Sequence, residues 1–206
     1  MGSQMEPILI LGMPRSGSSM TAGIFAKHGV WTGTCRGPSQ FNGKGFFENK
    51  AIKKIVIKMH GPIVTDGMLG QPVKGFREII EAAIERDGYI EGPWLWKGSA
   101  LYWPCFYEFK PTFILCRRPS QQIFDSCRAS NMFGKELSDQ RLVEIIDLHQ
   151  KVMAAIAYNN GATEVFTDQV AQGDHASIVT ALLECGIEPD SATIDDFVDP
   201  DLWHHR

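Results

Sequence analysis

The chain has 206 residues, which is enough for one α/β domain with a full core and short for two. Hydrophobic residues make up 44% and charged residues 21%, a balance that excludes a wholly disordered chain. The formal net charge of −4 argues against a broadly basic face, so we expect no nucleic-acid partner. No apolar run approaches the length of a membrane span or follows the basic segment of a signal sequence, and the five cysteines form no CxxC pair. These features predict a cytoplasmic protein with free thiols and no membrane span.

Predicted strands and helices alternate along the chain. Short apolar runs predict strands at residues 7–12, 93–97, 111–116 and 163–167. Apolar residues at helical spacing predict helices at residues 16–28, 47–59, 73–86, 119–131, 138–160 and 175–185. The two longest predicted loops are residues 30–45 and 61–72. This alternation predicts a single α/β domain over residues 5–206, with a mostly parallel central sheet flanked by helices.

A glycine-rich loop joins the first predicted strand to the first predicted helix. Residues 12–19 (GMPRSGSS) have the G-x4-G frame of a nucleotide-binding P-loop. Backbone N–H groups in such a turn converge on an anion, and the helix N-terminus adds partial positive charge. Ser18 replaces the lysine that kinases and ATPases carry after the second glycine, and the cation is instead Arg15. The loop therefore predicts a phosphate site without the lysine that serves a γ-phosphate, and an ordinary strand-to-helix turn is the alternative.

Six consecutive residues of this loop resemble a known motif: Pro14, Arg15, Ser16, Gly17, Ser18 and Ser19. They are similar to the 5′-phosphosulfate-binding loop of bacterial-type sulfotransferases that use 3′-phosphoadenosine 5′-phosphosulfate (PAPS). The resemblance implies a three-layer fold like that of P-loop NTPases. It also implies that the backbone of residues 15–19 binds the 5′-phosphate, and that Arg15 contacts the bridging oxygen and the sulfuryl group.

A second motif follows the third predicted strand, at residues 117–119 (RRP). It resembles the 3′-phosphate motif of the same family, in which an arginine, any residue and a proline precede a serine two helical turns later. Arg117 matches the arginine, but the usual interval of eight residues leads to Asp125, whose carboxylate would repel a phosphate. We therefore expect Ser126 to contact the 3′-phosphate, with Ser120 as the alternative. An arginine-rich surface loop is the other interpretation of this segment.

Lys97 is a further expected functional residue. It follows Trp96 in a segment that resembles the family's Trp-Lys-Asp-Pro segment, which lies between the two phosphate motifs. A lysine there would reach the sulfuryl group or the acceptor, and a solvated lysine is the alternative.

Glu48 lies in residues 42–49 (NGKGFFEN), which resemble a family segment at the edge of the active site. Glu48 is the expected base, with His60 as the alternative. His149 lies in the apolar stripe of a long helix and is predicted to be a core residue.

The resemblance implies a sulfotransferase that moves a sulfuryl group from PAPS to a hydroxyl or amine and releases 3′-phosphoadenosine 5′-phosphate (PAP). The expected catalytic residues are Arg15, Glu48 and Lys97, and the expected acceptor is a small molecule or a glycan. No metal is expected, because side chains supply the cations. Two other functions stay open. A kinase with a degenerate P-loop would need a lysine at position 18 and a magnesium ligand. A non-catalytic nucleotide-binding module would keep the loop and Arg117 but would not need Glu48 or Lys97.

Overall fold

The strands form one parallel sheet. The computed structural model describes residues 6–39, 42–134 and 136–199. Within these ranges the strands are β1 (Pro7–Gly12), β2 (Trp94–Ser99), β3 (Thr112–Arg117) and β4 (Thr163–Phe166). Their order is β2-β1-β3-β4, and every neighbouring pair is parallel. The predicted α/β class with a parallel sheet is therefore confirmed, and each observed strand ends within two residues of its prediction.

Helices occupy the segments between the strands. They are α1 (Ser18–Lys27), α2 (Lys50–His60), α3 (Ile63–Asp66), α4 (Phe76–Arg86), a 3-10 helix (Ala100–Phe106), α5 (Ser120–Ala129), α6 (Asp139–Asn160), α7 (Thr167–Ala171), α8 (Ala176–Glu184) and α9 (Ser191–Phe197). The sequence did not predict α3, the 3-10 helix, α7 or α9, because elements of one or two turns are too short to show helical periodicity. No helix in the described ranges has the length and apolarity needed to cross a membrane.

Hydrophobic clusters cover both faces of the sheet. Leu9 and Leu11 of β1 pack with residues of α2, α4 and α6. Ile8 and Ile10 of the same strand pack with residues of α1, α8 and α9. Successive side chains of a strand point to opposite faces, so a strand covered on both faces must be apolar throughout. All six residues of β1 are accordingly buried, which explains why the first predicted strand is a continuous apolar run.

The carboxyl ends of the strands meet at one edge of the sheet. Gly12 at the end of β1 pairs with Ser99 at the end of β2, and Leu11 pairs with Leu115 of β3. The chain order reverses beside β1, which has β2 on one side and β3 on the other. Ligands of open parallel sheets bind in the crevice at such a reversal. This edge carries the residue 12–19 loop and the ends of β2 and β3, where the sequence predicts functional residues.

Candidate functional site

A cavity of about 740 Å³ opens at the carboxyl edge of the sheet. This volume lies within the range of ligand-binding clefts, roughly 300–1,000 Å³. Its walls come from the residue 12–19 loop, the segment 42–48, α2, α3 and the ends of β2 and β3. Residues of both long predicted loops, 30–45 and 61–72, contribute to the lining. The three predicted catalytic residues, Arg15, Glu48 and Lys97, all line this cavity, although they are far apart in the sequence.

The residue 12–19 loop has a strained backbone where it enters α1. Arg15 and Gly17 both adopt the left-handed conformation, with φ of 73° and 84°. Side chains disfavour this region, so the arginine is held there by its surroundings. Gly17 is also required by packing, because a Cβ atom at this position would lie 2.6 Å from Cβ of Thr167. The Thr167 hydroxyl is within hydrogen-bond distance of two backbone oxygens, that of Ser16 (2.7 Å) and that of Arg117 (2.9 Å). Thr167 therefore joins the loop to the end of β3.

The loop and the start of α1 have the features of an anion site. The first N–H groups of a helix have no intrahelical partner, and they carry partial positive charge. Ser18 and Ser19 supply such groups at the start of α1, and both line the cavity. The Ser16 hydroxyl is buried and has no hydrogen-bond partner among the described residues. Ser16 does not line the cavity, so the N–H groups of Ser18 and Ser19 are the ones that fit a bound anion.

Two guanidinium groups lie close together beside the loop. Arg15 Nε donates to Ser126 Oγ at 2.9 Å, and Arg118 Nη1 donates to the backbone oxygen of Arg15 at 3.0 Å. Burial lowers the pKa of Arg15. Burial and the charge of Arg15 lower the pKa of Arg118 to about 10. Burial thus disfavours the charged form of both side chains, and the charge of Asp168 acts in the opposite direction on Arg118. An anion bound in the cavity would further favour the charged forms.

Arg117 lies elsewhere, which corrects the prediction that it faces the site. Its Nε donates to Glu164 Oε1 at 2.8 Å, and its Nη1 donates to Gln150 Oε1 at 2.8 Å. It does not line the cavity, whereas the next residue, Arg118, does. The spacing of the sequence already favoured Arg118 over Arg117. Eight residues after Arg117 the chain has Asp125, whereas eight residues after Arg118 it has Ser126, the expected serine.

The two candidate serines have different surroundings. Ser126 is fully buried and accepts the hydrogen bond from Arg15, but it does not line the cavity. Its position therefore supports the orientation of Arg15. Ser120, the alternative, is the exposed first residue of α5 and does not line the cavity either. Neither serine is placed at the cavity surface, where the sequence led us to expect a phosphate ligand.

Lys97 is buried, so the alternative of a solvated lysine is wrong. Its Nζ donates to Ser19 Oγ (3.1 Å), the Phe46 backbone oxygen (3.1 Å) and Glu48 Oε1 (2.9 Å). An ammonium group has three protons, so these bonds use all of them. Lys97 thereby fixes the start of α1 against the segment that carries Glu48.

Glu48 is held by two lysines. Its Oε1 accepts from Lys97, and its Oε2 pairs with Lys53 Nζ at 2.5 Å. Burial acts to raise the pKa of the Glu48 carboxyl, but the charge of Lys97 and the hydrogen bond and charge of Lys53 outweigh it, so the pKa is lowered. Both oxygens of the carboxylate are therefore already engaged as acceptors. His60, the alternative base, is the last residue of α2 and does not line the cavity.

His149 is buried, as predicted for a core residue, but it is not surrounded by apolar groups alone. Its Nε2 lies 2.8 Å from the hydroxyl oxygen of Ser99, and Ser99 lines the cavity. Sequence reasoning missed this pair, because the two residues are 50 positions apart and their contact depends on how α6 packs at the end of β2.

No protein-family model, curated protein or solved structure matches the chain. In the ranges that the structure covers, no group of three or more His, Cys, Asp or Glu side chains could hold a metal ion. The site combines a strained loop that has the features of an anion site, the neighbouring Arg15 and Arg118, a fully hydrogen-bonded Lys97 and a cavity of about 740 Å³.

Proposed function

We propose that this protein is a PAPS-dependent sulfotransferase of P-loop type. The observation that carries the proposal is the close placement of Arg15 and Arg118 beside an anion-binding loop at one cavity. PAPS has two anionic ends, a 5′-phosphosulfate and a 3′-phosphate. The half-buried Arg15 and the buried Arg118 at one cavity suit a ligand with two such ends. The likeness of residues 14–19 to the phosphosulfate loop of sulfotransferases supports the same function. Neither cation is the P-loop lysine that a kinase uses.

In the proposed complex, one set of groups binds the 5′-phosphosulfate of PAPS and another binds its 3′-phosphate. The N–H groups at the start of α1 and Arg15 bind the 5′-phosphosulfate. Arg118, in place of Arg117, binds the 3′-phosphate, and Ser126 orients Arg15. When bound, PAPS supplies an activated sulfuryl group in a phosphate–sulfate anhydride. Arg15 is then positioned to stabilise negative charge that develops on the leaving phosphate, as cations do in phosphoryl transfer.

Lys97 and Glu48 act together in the proposed site. The three hydrogen bonds of Lys97 keep Ser19, Phe46 and Glu48 in one arrangement at the cavity wall. Fixed polar groups lower the cost of reorganisation during charge transfer. Because both Glu48 oxygens are paired with lysines, we assign this carboxylate the role of orienting Lys97, rather than the role of base that the sequence suggested.

The acceptor side of the cavity is apolar. Its lining includes Val56 and Ile57 of α2, Pro62 and Val64 of the following segment, and Trp96 of β2. A glycan would need hydrogen-bond partners for its many hydroxyls, and an apolar wall offers few of them. These residues favour a small molecule with an apolar body and one hydroxyl or amine that reaches the polar end of the cavity.

Ligand-dependent stabilisation tests the proposal directly. PAP at 100 times its dissociation constant should stabilise the fold by about 2.7 kcal/mol, which is roughly 5–10 °C in melting temperature for a chain of this length. ATP and ADP, with or without magnesium, should give clearly smaller shifts. Equal shifts for ATP and PAP would favour the kinase. PAP binding without PAP release from PAPS in the presence of acceptors would favour the non-catalytic module.

A further inference from the structure

A buried serine–histidine pair lies at the wall of the cavity. Ser99 is the last residue of β2, and its side chain is 9% exposed and lines the cavity. His149 lies behind it on α6 and is fully buried. The distance from Ser99 Oγ to His149 Nε2 is 2.8 Å. The histidine therefore has no surface of its own in the cavity, and it reaches the cavity only through the serine hydroxyl.

The surroundings of His149 fix which nitrogen carries the proton. Nδ1 lies 2.8 Å from the backbone oxygen of Ile145. A carbonyl oxygen only accepts, so Nδ1 is protonated and Nε2 of the neutral ring has a free electron pair. The hydrogen bond between Ser99 and His149 is therefore donated by the serine hydroxyl. This is the arrangement of an activated hydroxyl group: a hydroxyl bonded to a base that a third group orients.

Ser99 Oγ can also accept a proton from the cavity. It has two lone pairs. One accepts the backbone N–H of Leu101 at 3.2 Å, which caps the 3-10 helix. The other is available to a hydroxyl group bound in the cavity. Ser99 pairs in the sheet with Gly12, the first residue of the residue 12–19 loop, and both residues line the cavity.

We propose that Ser99 is the group that takes the proton from the acceptor hydroxyl, and that it passes its own proton to His149. The inference rests on the proposed sulfotransferase function. The acceptor O–H bond breaks as the acceptor oxygen forms its bond to sulfur, and the bond between sulfur and the leaving phosphate oxygen breaks. The acceptor proton moves to Ser99 Oγ, the Ser99 proton moves to His149 Nε2, and no electrons are exchanged with any other reactant. Ser99 is then a catalytic residue, and His149 is a positioning residue that acts through it.

The hydrogen bonds of His149 fit this role better than those of Glu48. Burial lowers the pKa of His149 to about 4, so its ring is neutral at pH 7 and its Nε2 is available as an acceptor. The same burial makes the imidazolium costly, so the ring needs negative charge nearby to take up a proton. Negative charge in the cavity would favour the charged ring. Both Glu48 oxygens, in contrast, already accept from ammonium groups.

A structural role for the pair makes different predictions from a proton relay. As a cap, the Ser99 hydroxyl contributes to stability, and its removal should lower the melting temperature. Such a loss would affect all acceptors equally. A relay matters only for acceptors that must lose a proton during transfer. An alkanol needs a base, whereas an acidic phenol ionises readily without one.

The experiment compares 1-octanol and 4-nitrophenol as acceptors for Ser99→Ala, Ser99→Thr, His149→Asn and the double variant Ser99→Ala/His149→Asn. For Ser99→Ala we expect kcat with 1-octanol to fall by about 10²–10⁴, the range of general base catalysis. With 4-nitrophenol the loss should be less than tenfold, and PAP affinity should stay within about twofold. Ser99→Thr keeps the hydroxyl and should restore most of the rate. The double variant should lose no more than either single variant, as expected for residues that act as a unit.

Nuclear magnetic resonance of the ¹⁵N-labelled histidine ring gives a readout that needs no turnover. In the wild type, Nδ1 should be protonated and Nε2 should have the shift of a hydrogen-bonded acceptor. Ser99→Ala should move the Nε2 resonance and leave Nδ1 unchanged. An unprotonated Nδ1 in the wild type would overturn the relay.

The outcomes separate the relay from the function on which it rests. Near-normal kcat for Ser99→Ala with 1-octanol would overturn the relay, as would equal losses with both acceptors or no rescue by threonine. Absence of PAP binding by the wild type, or of PAP release with both acceptors, would overturn the sulfotransferase function, and the relay with it.

Discussion

Arg117 and Arg118 are consecutive in the chain but lie in two different regions. Arg117 ends β3, and its guanidinium bonds to Glu164 of β4 and Gln150 of α6. Arg118 follows the strand, lines the cavity and donates to the backbone oxygen of Arg15. The first region is an ion pair at the outer part of the sheet. In the second region two arginines lie at one cavity, where burial and Arg15 lower the pKa of Arg118 and the charge of Asp168 offsets part of this shift.

The difference shows how a buried or half-buried cation can be assigned a role. A guanidinium that is already bonded to a carboxylate gains little from a phosphate, because the phosphate would displace an existing partner. A guanidinium beside a second guanidinium gains much from an anion. We therefore expect the outer region to be structural, and we propose that the cavity region binds ligand, because Arg118 lines the cavity and Arg117 does not. Four predictions test or refine this contrast.

The largest effect is expected in the cavity region, at Arg15. Arg15→Ala should reduce turnover of PAPS by about 10²–10³, the usual scale for one preorganised charge-stabilising donor. Arg15→Lys is the matched control, because it keeps the charge and loses the Nε bond to Ser126, so its loss should be smaller. Rates of PAP release measure both. Equal losses for the two variants would mean that the hydrogen bond to Ser126, and not the charge, is what matters.

Arg118 gives the second largest effect, on affinity. Arg118→Ala should weaken PAP binding by about 10–100-fold, because a hydrogen bond to a charged group contributes roughly 1.5–3 kcal/mol. Titration calorimetry measures this directly, and Arg117→Ala is the matched control, with the same change of charge one residue away. If Arg117→Ala weakened PAP binding and Arg118→Ala did not, the assignment of the two regions would be reversed.

The sequence predicted the cavity region only in part. Residues 12–19 were assigned correctly to a strand-to-helix loop because both glycines, the apolar strand and the helix are local signals. The choice between Arg117 and Arg118 depends on where β3 ends, and an error of one residue turns a side chain to the other face of a sheet. The observed β3 ends at Arg117, one residue beyond the predicted end of the strand. The Arg117 side chain forms hydrogen bonds with Glu164 of β4 and Gln150 of α6.

Contacts across long intervals were not predictable. Lys97 bonds to Ser19 and Phe46, which are 78 and 51 positions away, and only the folded sheet brings them together. The same holds for Ser99 and His149. The spacing of apolar residues predicts which helix positions are buried, but it does not predict hydrogen bonds. A histidine at such a position is therefore predicted to be a core residue, and its hydrogen-bond partner stays unknown. The sequence therefore identified the elements that carry the site better than it identified the pairs within it.

Glu48 gives a smaller effect, on stability and its pH dependence. The folded-state pKa of Glu48 is lowered from 4.5, so its ion pairs stabilise the fold above that pH, and this contribution is lost as the pH falls through the folded-state pKa. Glu48→Gln should lower the free energy of unfolding at pH 7 by about 2 kcal/mol, the scale of hydrogen bonds to charged groups. The difference from the wild type should shrink below pH 4.5 in urea titrations. The exposed Glu91→Gln controls for the change in net charge. A difference that stays constant from pH 7 to below 4.5 would show that the carboxylate charge contributes nothing.

The smallest effect is expected for Arg117 in the outer region. Its side chain is 17% exposed and that of Glu164 is 34% exposed, so solvent screens part of their attraction. Arg117→Ala should cost about 1 kcal/mol, near the upper end for such pairs, which is roughly 2–4 °C in melting temperature. Glu164→Gln keeps an acceptor for Arg117 and should cost less. Thermal unfolding of the two single variants and of the double variant isolates the pair energy.

The affinity for PAP should be unchanged in all three, because none of them alters a group that lines the cavity. A loss of PAP affinity without a change in melting temperature would show that Arg117 belongs functionally to the cavity and that its ion pair opens when ligand binds.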